Sequence, residues 1–297
     1  VHRVIDYVID HLDQPPSLAE AAEIAHFSPH HFHRIFKSIA GETLADFVRR
    51  VRIERSAHHL RHGTGESLLE VALRFGFQSA SDFSRVFKKR FGLPPRDFQQ
   101  LERAEVRKIC QAADETLDYD RFQLNEEFDD DAYAVNWFDE PDRTIAYVRV
   151  VDPTTGSRLA DGFTQLREWA QAHGLWEGGT LMGMSLEDPD ITPSHLYRYD
   201  VALTVPDGTP ASDGVTTRRW HGAKYASIRC RGGMTEVIRV WDFLCKHWLL
   251  RSQWQPDDRP AIEVYHDDPF ATPLPEGEPL PVSFTWNFDA RIPVVPL

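Results

Sequence analysis

"SLAEAAEIAHFSPHHFHRIFKSIAG", residues 17–41, recurs as "SLLEVALRFGFQSASDFSRVFKKRFG" at residues 67–92. An offset of 50 residues aligns Ser17 with Ser67 and Phe27 with Phe77; an offset of 51 then aligns Phe32 with Phe83, Arg34 with Arg85, Phe36 with Phe87, Lys37 with Lys88 and Gly41 with Gly92. One module is therefore present twice. Each copy opens on a serine with glutamate three residues on, the signature of a capping box. Leu18, Ala21, Ala22 and Ala25 form an apolar stripe, repeated as Leu68, Val71, Ala72 and Phe75. A short turn follows, with Phe27 or Phe77 available to plug the corner. The next helix turns Phe32, Ile35, Phe36 and Ile39 inward, and its counterpart Phe83, Val86 and Phe87, before a glycine that suits the helix end. Two short helices about a tight turn make a helix-turn-helix plan.

The outer face of each second helix carries the chemistry. His30, His33, Arg34 and Lys37 fall on one stripe; Ser81, Ser84, Arg85 and Lys88 form its equivalent, with Asp82 beside it. Arginine can bond a guanine edge with two parallel hydrogen bonds, and lysine at the far end suits a phosphate. A solvated helix face explains one such stripe, but a duplicated stripe in a duplicated module favours double-stranded DNA. Asp82 either accepts from a cytosine amino group or caps its helix and pairs with Arg85, the latter being preferred. His26, His30 and His33 lie at spacings that invite a metal, but no cysteine or carboxylate supports one.

Between the modules, "TLADFVRRVRIERSAHHLRHG" (43–63) reads as one long helix. Leu44, Phe47, Val48, Val51 and Leu60 supply its apolar face, and Arg49, Arg50, Arg52 and Arg55 its basic one. At 1.5 Å per residue it spans roughly 28 Å, near the ~34 Å repeat of B-DNA, so one chain can place two recognition helices in successive major grooves.

This layout, closed by "FGLPPRDFQ", resembles the AraC/XylS family of bacterial transcription regulators across residues 1–108. The resemblance implies that base reading falls to His30, His33 and Arg34 in the first module and to Ala80, Ser81, Asp82, Ser84 and Arg85 in the second. It also implies a regulator acting through promoter DNA and RNA polymerase, as a monomer or weak dimer.

Composition changes where the repeats end. The chain of 297 residues has net charge −13, yet residues 1–108 hold 17 basic and 14 acidic side chains, leaving −16 for the remainder. All eight tryptophans lie beyond residue 136, and nine of fourteen histidines before residue 63. Two domains with different tasks are expected: 1–108, an acidic linker at 109–132 and a second domain at 133–297. Three widely spaced cysteines, no long apolar run and no basic-then-apolar leader suggest a cytoplasmic protein without a membrane span.

In the second domain strand and helix signals alternate. "RTIAYVRVV" (143–151), a helix at 157–174, "TLMGMSLE" and "YRYDVALTV" are followed by "AKYASIRC" (223–230), a helix at 235–250, "AIEVYHD" (261–267) and "VSFTWNF" (282–288). A β-α-β-β unit occurs twice, which predicts an α+β domain, an antiparallel sheet with two helices on one face. The open face opposite the helices is the expected ligand face, with Tyr147, Trp176, Tyr197, Tyr199, Tyr225, Trp248, Trp254 and Tyr265 as candidate walls. In "IEVYHDDP" (262–269), Ile262 and Val264 face one side of a strand while Glu263 and Tyr265 face the other. A covered Glu263 needs a partner.

The strings "GMSLEDPDITPSHLYRYDVAL", "HGAKYASIRCRGG", "WDFLCKHWLLRS" and "RPAIEVYHDDP" are similar to those of GyrI-like effector domains, over about residues 133–297. That resemblance implies multidrug sensing, with Glu263 meeting a cationic aromatic ligand in a central cleft beside Tyr265. Tyr147, Trp176, Tyr225 and Trp248 are the further ligand candidates. "WLLRS" departs from the family, which often has proline after Trp-Leu. No cofactor, metal or catalytic residue is expected. Two other readings stay open: a GyrI-like hydrolase of a reactive electrophile, with Glu263 as general acid or base, and a protein-interaction module without a small ligand.

Overall fold

The computed structural model of the chain describes residues 1–61, 65–110, 128–129, 131–153, 156–257, 259–272, 280–281 and 283–297. It divides into two compact units, one taking in Val1–Ala113 and Glu187–Leu196, the other Asp114–Leu186 and Tyr197–Leu297. Of the acidic linker expected at 109–132, residues 111–127 and 130 lie outside the described residues.

The first unit is helical: α1 (His2–Asp10), α2 (Leu18–Ile24), α3 (Pro29–Ala40), α4 (Leu44–Arg61), α5 (Leu68–Arg74), α6 (Ala80–Phe91), α7 (Pro95–Gln99) and α8 (Arg103–Cys110). Both expected capping boxes are present, Ser17 with Glu20 on α2 and Ser67 with Glu70 on α5. The α2–α3 and α5–α6 corners each turn on a residue in the left-handed region, His26 at φ 58° and Gly76 at φ 74°. At Gly76 a Cβ would also lie 2.8 Å from the Leu12 backbone carbonyl oxygen, so close approach adds to the positive φ in favouring glycine there. Gly41 and Gly92 end α3 and α6 at φ 75° and 78°.

Two apolar cores flank α4. Leu44, Phe47, Val48 and Val51 join Phe32 and Phe36 in the first; Ile53, Ala57 and Leu60 join Phe83, Phe87 and Phe98 in the second. The second core also holds Ile191, fully buried, from Glu187–Leu196. Within the same unit Asp188 lies 2.8 Å from His58 Nδ1, and Thr192 Oγ1 donates to Glu54 at 2.8 Å. Glu54, only 3% exposed, accepts as well from Arg50 at 2.9 Å and Arg90 at 3.0 Å. Such a buried carboxylate is tolerable because every neighbour donates to it.

Three expectations are corrected here. Phe77 plugs its corner but Phe27 is 41% exposed, its ring tilted over His31. Ile39 points outward and Ile35 is only partly covered, because Phe32 and Phe36 already fill that side of α3. The basic face of α4 is partly structural: Arg50 binds Glu42 and Glu54, and Arg52 Nε donates to the Leu12 carbonyl at 2.7 Å.

The second unit is one antiparallel sheet with helices on one face. Its strands are β1 (Asn136–Asp139), β2 (Arg143–Val151), β3 (Leu181–Ser185), β4 (Arg198–Val205), β5 (Thr216–Trp220), β6 (Lys224–Gly232), β7 (Trp254–Pro256), β8 (Ile262–Tyr265) and β9 (Trp286–Pro296), in the order β1-β6-β9-β8-β3-β4-β2-β5 with β7 on β9. The helices are α9 (Gly156–Ala172) and α10 (Met234–Asp242), the latter continuing through a π-helical turn, Phe243–Trp248. The predicted duplication is β2-α9-β3-β4 followed by β6-α10-β8-β9. The copies meet at the β3–β8 pair, where Gly183 faces Glu263 in register. The last strand begins at Trp286, later than its sequence signal, since Trp286, Phe288, Ala290, Ile292 and Val294 alternate into the core.

Candidate functional site

Alternation sorts the sheet into two faces. Val148, Val201, Tyr199, Ile228, Tyr265 and Phe288 pack against Phe163 and Leu166 of α9 and Val240 of α10. Ile145, Tyr147, Met182, Met184, Tyr225, Ile262 and Val264 form a separate cluster on the other face. Glu263 therefore lies with Tyr265 on the helix-bearing face, not on the open face opposite the helices where the sequence reading placed it. Both faces are apolar, so alternation fixed which residues share a side but not which side the helices cover.

At the junction of the two copies, Glu263 Oε2 accepts from Tyr265 at 2.6 Å and from the Tyr199 hydroxyl, while Trp241 Nε1 points at Oε1 from 3.4 Å. The phenol oxygens are themselves 2.8 Å apart. These partners come from β4, β8 and α10, so both copies contribute. Space for Tyr199 exists because β3 has a glycine there: a Cβ on Gly183 would lie 1.6 Å from the Tyr199 hydroxyl. Phe163 stands edge-on to Tyr265 at 5.2 Å, and Phe288 lies 5.5 Å from it.

Burial raises the Glu263 pKa above the ordinary carboxylate value, against the hydrogen bonds from Tyr199, Tyr265 and Trp241. Burial, then the neighbouring carboxylate, pushes both phenols well above the usual tyrosine range. The result is a half-buried carboxyl group whose hydrogen-bond partners are two phenols and an indole, none of them cationic.

Of the sequence-nominated ligand residues, the structure brings Glu263 and Tyr265 together. Trp176 and Trp248 are partly buried at the margin of the helix-side core, Trp248 grouped with Trp137 at 5.7 Å. Tyr147 and Tyr225 are fully buried in the opposite cluster and stand apart from Glu263, since their strand positions have the other parity. Tyr199 was legible only as one aromatic wall among several. Trp241 and Gly183 carried no sequence signal, because what joins them to Glu263 is sheet register and helix docking.

The second candidate surface is on the helical unit. His30, Arg34 and Lys37 are exposed on α3 and His33 is partly so; on α6, Ser81, Arg85 and Lys88 are exposed, with Asp82 and Ser84 partly covered. The N-cap of α6 is Ser79, whose hydroxyl accepts from the Asp82 backbone N–H at 3.1 Å, so Asp82 is not the cap. The expected pairing does form: Arg85 donates to Asp82 at 2.6 Å.

Residues 21–101 match the helix-turn-helix domain family, and residues 135–278 the GyrI-like small molecule binding domain. The multiple antibiotic resistance protein MarA of Salmonella typhimurium is 31% identical over 99 residues, 33% of this chain and 77% of that protein. The right origin-binding protein of Escherichia coli K12 is 40% identical over 85 residues, 29% of each chain. Among solved structures, the EcmrR C-terminal domain aligns with 56% of this chain and 99% of its own at 11% identity and TM-score 0.40. The chain belongs to the AraC family of DNA-binding regulators and carries a C-terminal GyrI-like domain. Among the described residues no helix is long and apolar enough to cross a membrane.

Proposed function

We propose that this protein is a ligand-responsive transcription regulator of the cytoplasm. The α3 and α6 faces bind promoter double-stranded DNA, and the second unit captures a small cationic, aromatic molecule at Glu263. The observation that carries the reading is Glu263 itself. An ionised carboxyl group among packed apolar side chains is costly unless paired, and its partners among the described residues are all neutral. A ligand cation supplies the counter-charge that the ionised form of Glu263 lacks, and the rings around it add cation–π attraction of about 0.5–2 kcal/mol each. Such a ligand alters transcription through RNA polymerase by favouring one state of the chain over another.

The test is thermal-shift screening of cationic dyes against wild type and Glu263→Gln. Selective stabilisation of the wild type supports sensing; no selective stabilisation by any cation refutes it. A carboxyl with a raised pKa beside two phenols also suits a general acid. Turnover of a reactive electrophile that Glu263→Gln abolishes would assign the cleft to hydrolysis instead.

A further inference from the structure

Three oxygens at the site form a closed triangle. Tyr265 Oη is 2.6 Å from Glu263 Oε2, the two phenol oxygens are 2.8 Å apart, and Tyr199 Oη is within hydrogen-bond reach of the same Oε2. Each side joins a hydrogen-bonded pair of oxygens, two of them at ordinary hydrogen-bond distances, so each side calls for one proton. The phenols supply two. If both are given to an ionised carboxylate, the third side sets two oxygens against each other with no proton between them. Both donors would also reach one carboxylate oxygen from directions far closer together than its lone pairs. A carboxylic acid removes both conflicts: Glu263 donates to one phenol, that phenol to the other, and the second back to Glu263. The Trp241 indole N–H, 3.4 Å from Oε1, then faces the carbonyl oxygen of the acid.

Among the described residues no cation faces Glu263; only the neutral hydrogen bonds from Tyr199, Tyr265 and Trp241 favour its ionised form, and burial outweighs them. Across the sheet β3 offers only Gly183, and α9 brings Phe163 against Tyr265. The titratable neighbours are Tyr199 on β4, Tyr265 on β8 and Cys230 on β6, where Glu236 of α10 and Arg229 of β6 also act. Burial pushes the Cys230 thiol up to about 12. All three neighbours therefore stay neutral near pH 7.

We propose that the site takes its ligand by exchange: Glu263 is a neutral acid in the ligand-free protein, and a docking cation displaces its proton to water. The proposal rests on the cation-sensing reading above. The O–H bond of Glu263 breaks, the proton leaves to solvent, and the carboxylate left behind pairs with the cation. One positive charge enters and one departs, so the cleft stays neutral throughout. The exchange selects cations over neutral molecules, because a neutral aromatic gains nothing from the loss of the proton. One proton is lost per cation bound, so affinity rises by about tenfold per pH unit below the pKa of ligand-free Glu263 and levels off above it.

The experiment is calorimetric titration of the full chain with tetraphenylphosphonium, in buffers of differing ionisation enthalpy across a pH series. About one proton released per cation at the acid end is expected, with affinity rising as pH rises. Infrared difference spectra give a second readout: the carbonyl band of a protonated carboxyl is present in the ligand-free protein, vanishes when tetraphenylphosphonium is added and is missing in Glu263→Gln. Binding with no proton release and no acid band overturns the exchange while leaving cation sensing intact. No binding of tetraphenylphosphonium by the wild type overturns both.

Discussion

Gly183 is the floor on which Tyr199 stands: the phenol of one β-α-β-β copy crosses the backbone of β3 where any side chain would meet its hydroxyl, and so reaches Glu263 of the other copy. Gly183→Ala forces the ring aside into a packed core, an overpacking cost of about 1–3 kcal/mol. The expected result is a lowered thermal midpoint together with weakened dye binding. Tyr199→Phe, which keeps the ring but not the hydroxyl, weakens dye binding with the smaller loss of stability. Paired melting curves and dye titrations check both.

On the DNA side, Arg34→Ala should cost roughly 1–3 kcal/mol and relax base preference, whereas Lys37→Ala weakens all sequences alike and reduces the salt slope by about one. Selection of bound duplexes from a random pool, followed by salt titrations, separates the two. Equal loss on every sequence from Arg34→Ala would refute its base-reading role.

Arg85 is committed to Asp82 before any DNA arrives. That ion pair is exposed, so Asp82→Ala changes stability by less than about 1 kcal/mol. It also removes a negative charge from the face proposed to meet phosphates. Tighter, less sequence-selective DNA binding is expected by fluorescence anisotropy, with unfolding curves nearly superposed.

Ile191 fills the second helical core from outside the helical sequence. Truncating it to alanine leaves a cavity and costs about 2–5 kcal/mol. Denaturant unfolding followed on the helical signal should register that loss.

Asp188 sits below the usual carboxylate range: burial pushes it up, but His58, Arg61 and the Asp190 backbone N–H together outweigh this. A depressed folded pKa contributes stability that is fully present above the unfolded value, near ~3.9, and is lost as pH falls toward the folded one. Asp188→Asn should therefore lower unfolding free energy by ~1–3 kcal/mol at neutral pH. The gap between variant and wild type narrows below about pH 4. Urea melts at several pH values test the trend.

Much of this was legible from local patterning. Ser17–Glu20 and Ser67–Glu70, the inward phenylalanines and the glycine stops are short-range features whose physics acts within one or two turns. Glu263 and Tyr265 shared a face by alternation alone. What escaped depends on long-range register: Tyr199 lies 64 residues from Glu263 in the chain and meets it only because β3, β4 and β8 align side by side. Tyr147 and Tyr225 look the same as Tyr199 in sequence, yet strand parity sends them to the other face. The place of Ile191 has no local signature at all.

The β3–β8 pairing has one more implication. Each β-α-β-β copy holds only part of the site: the second copy supplies the acid, one phenol and the indole, while the first supplies the other phenol and the glycine beneath it. On the proposed reading, two separately produced halves that reassociate should regain dye binding neither has alone.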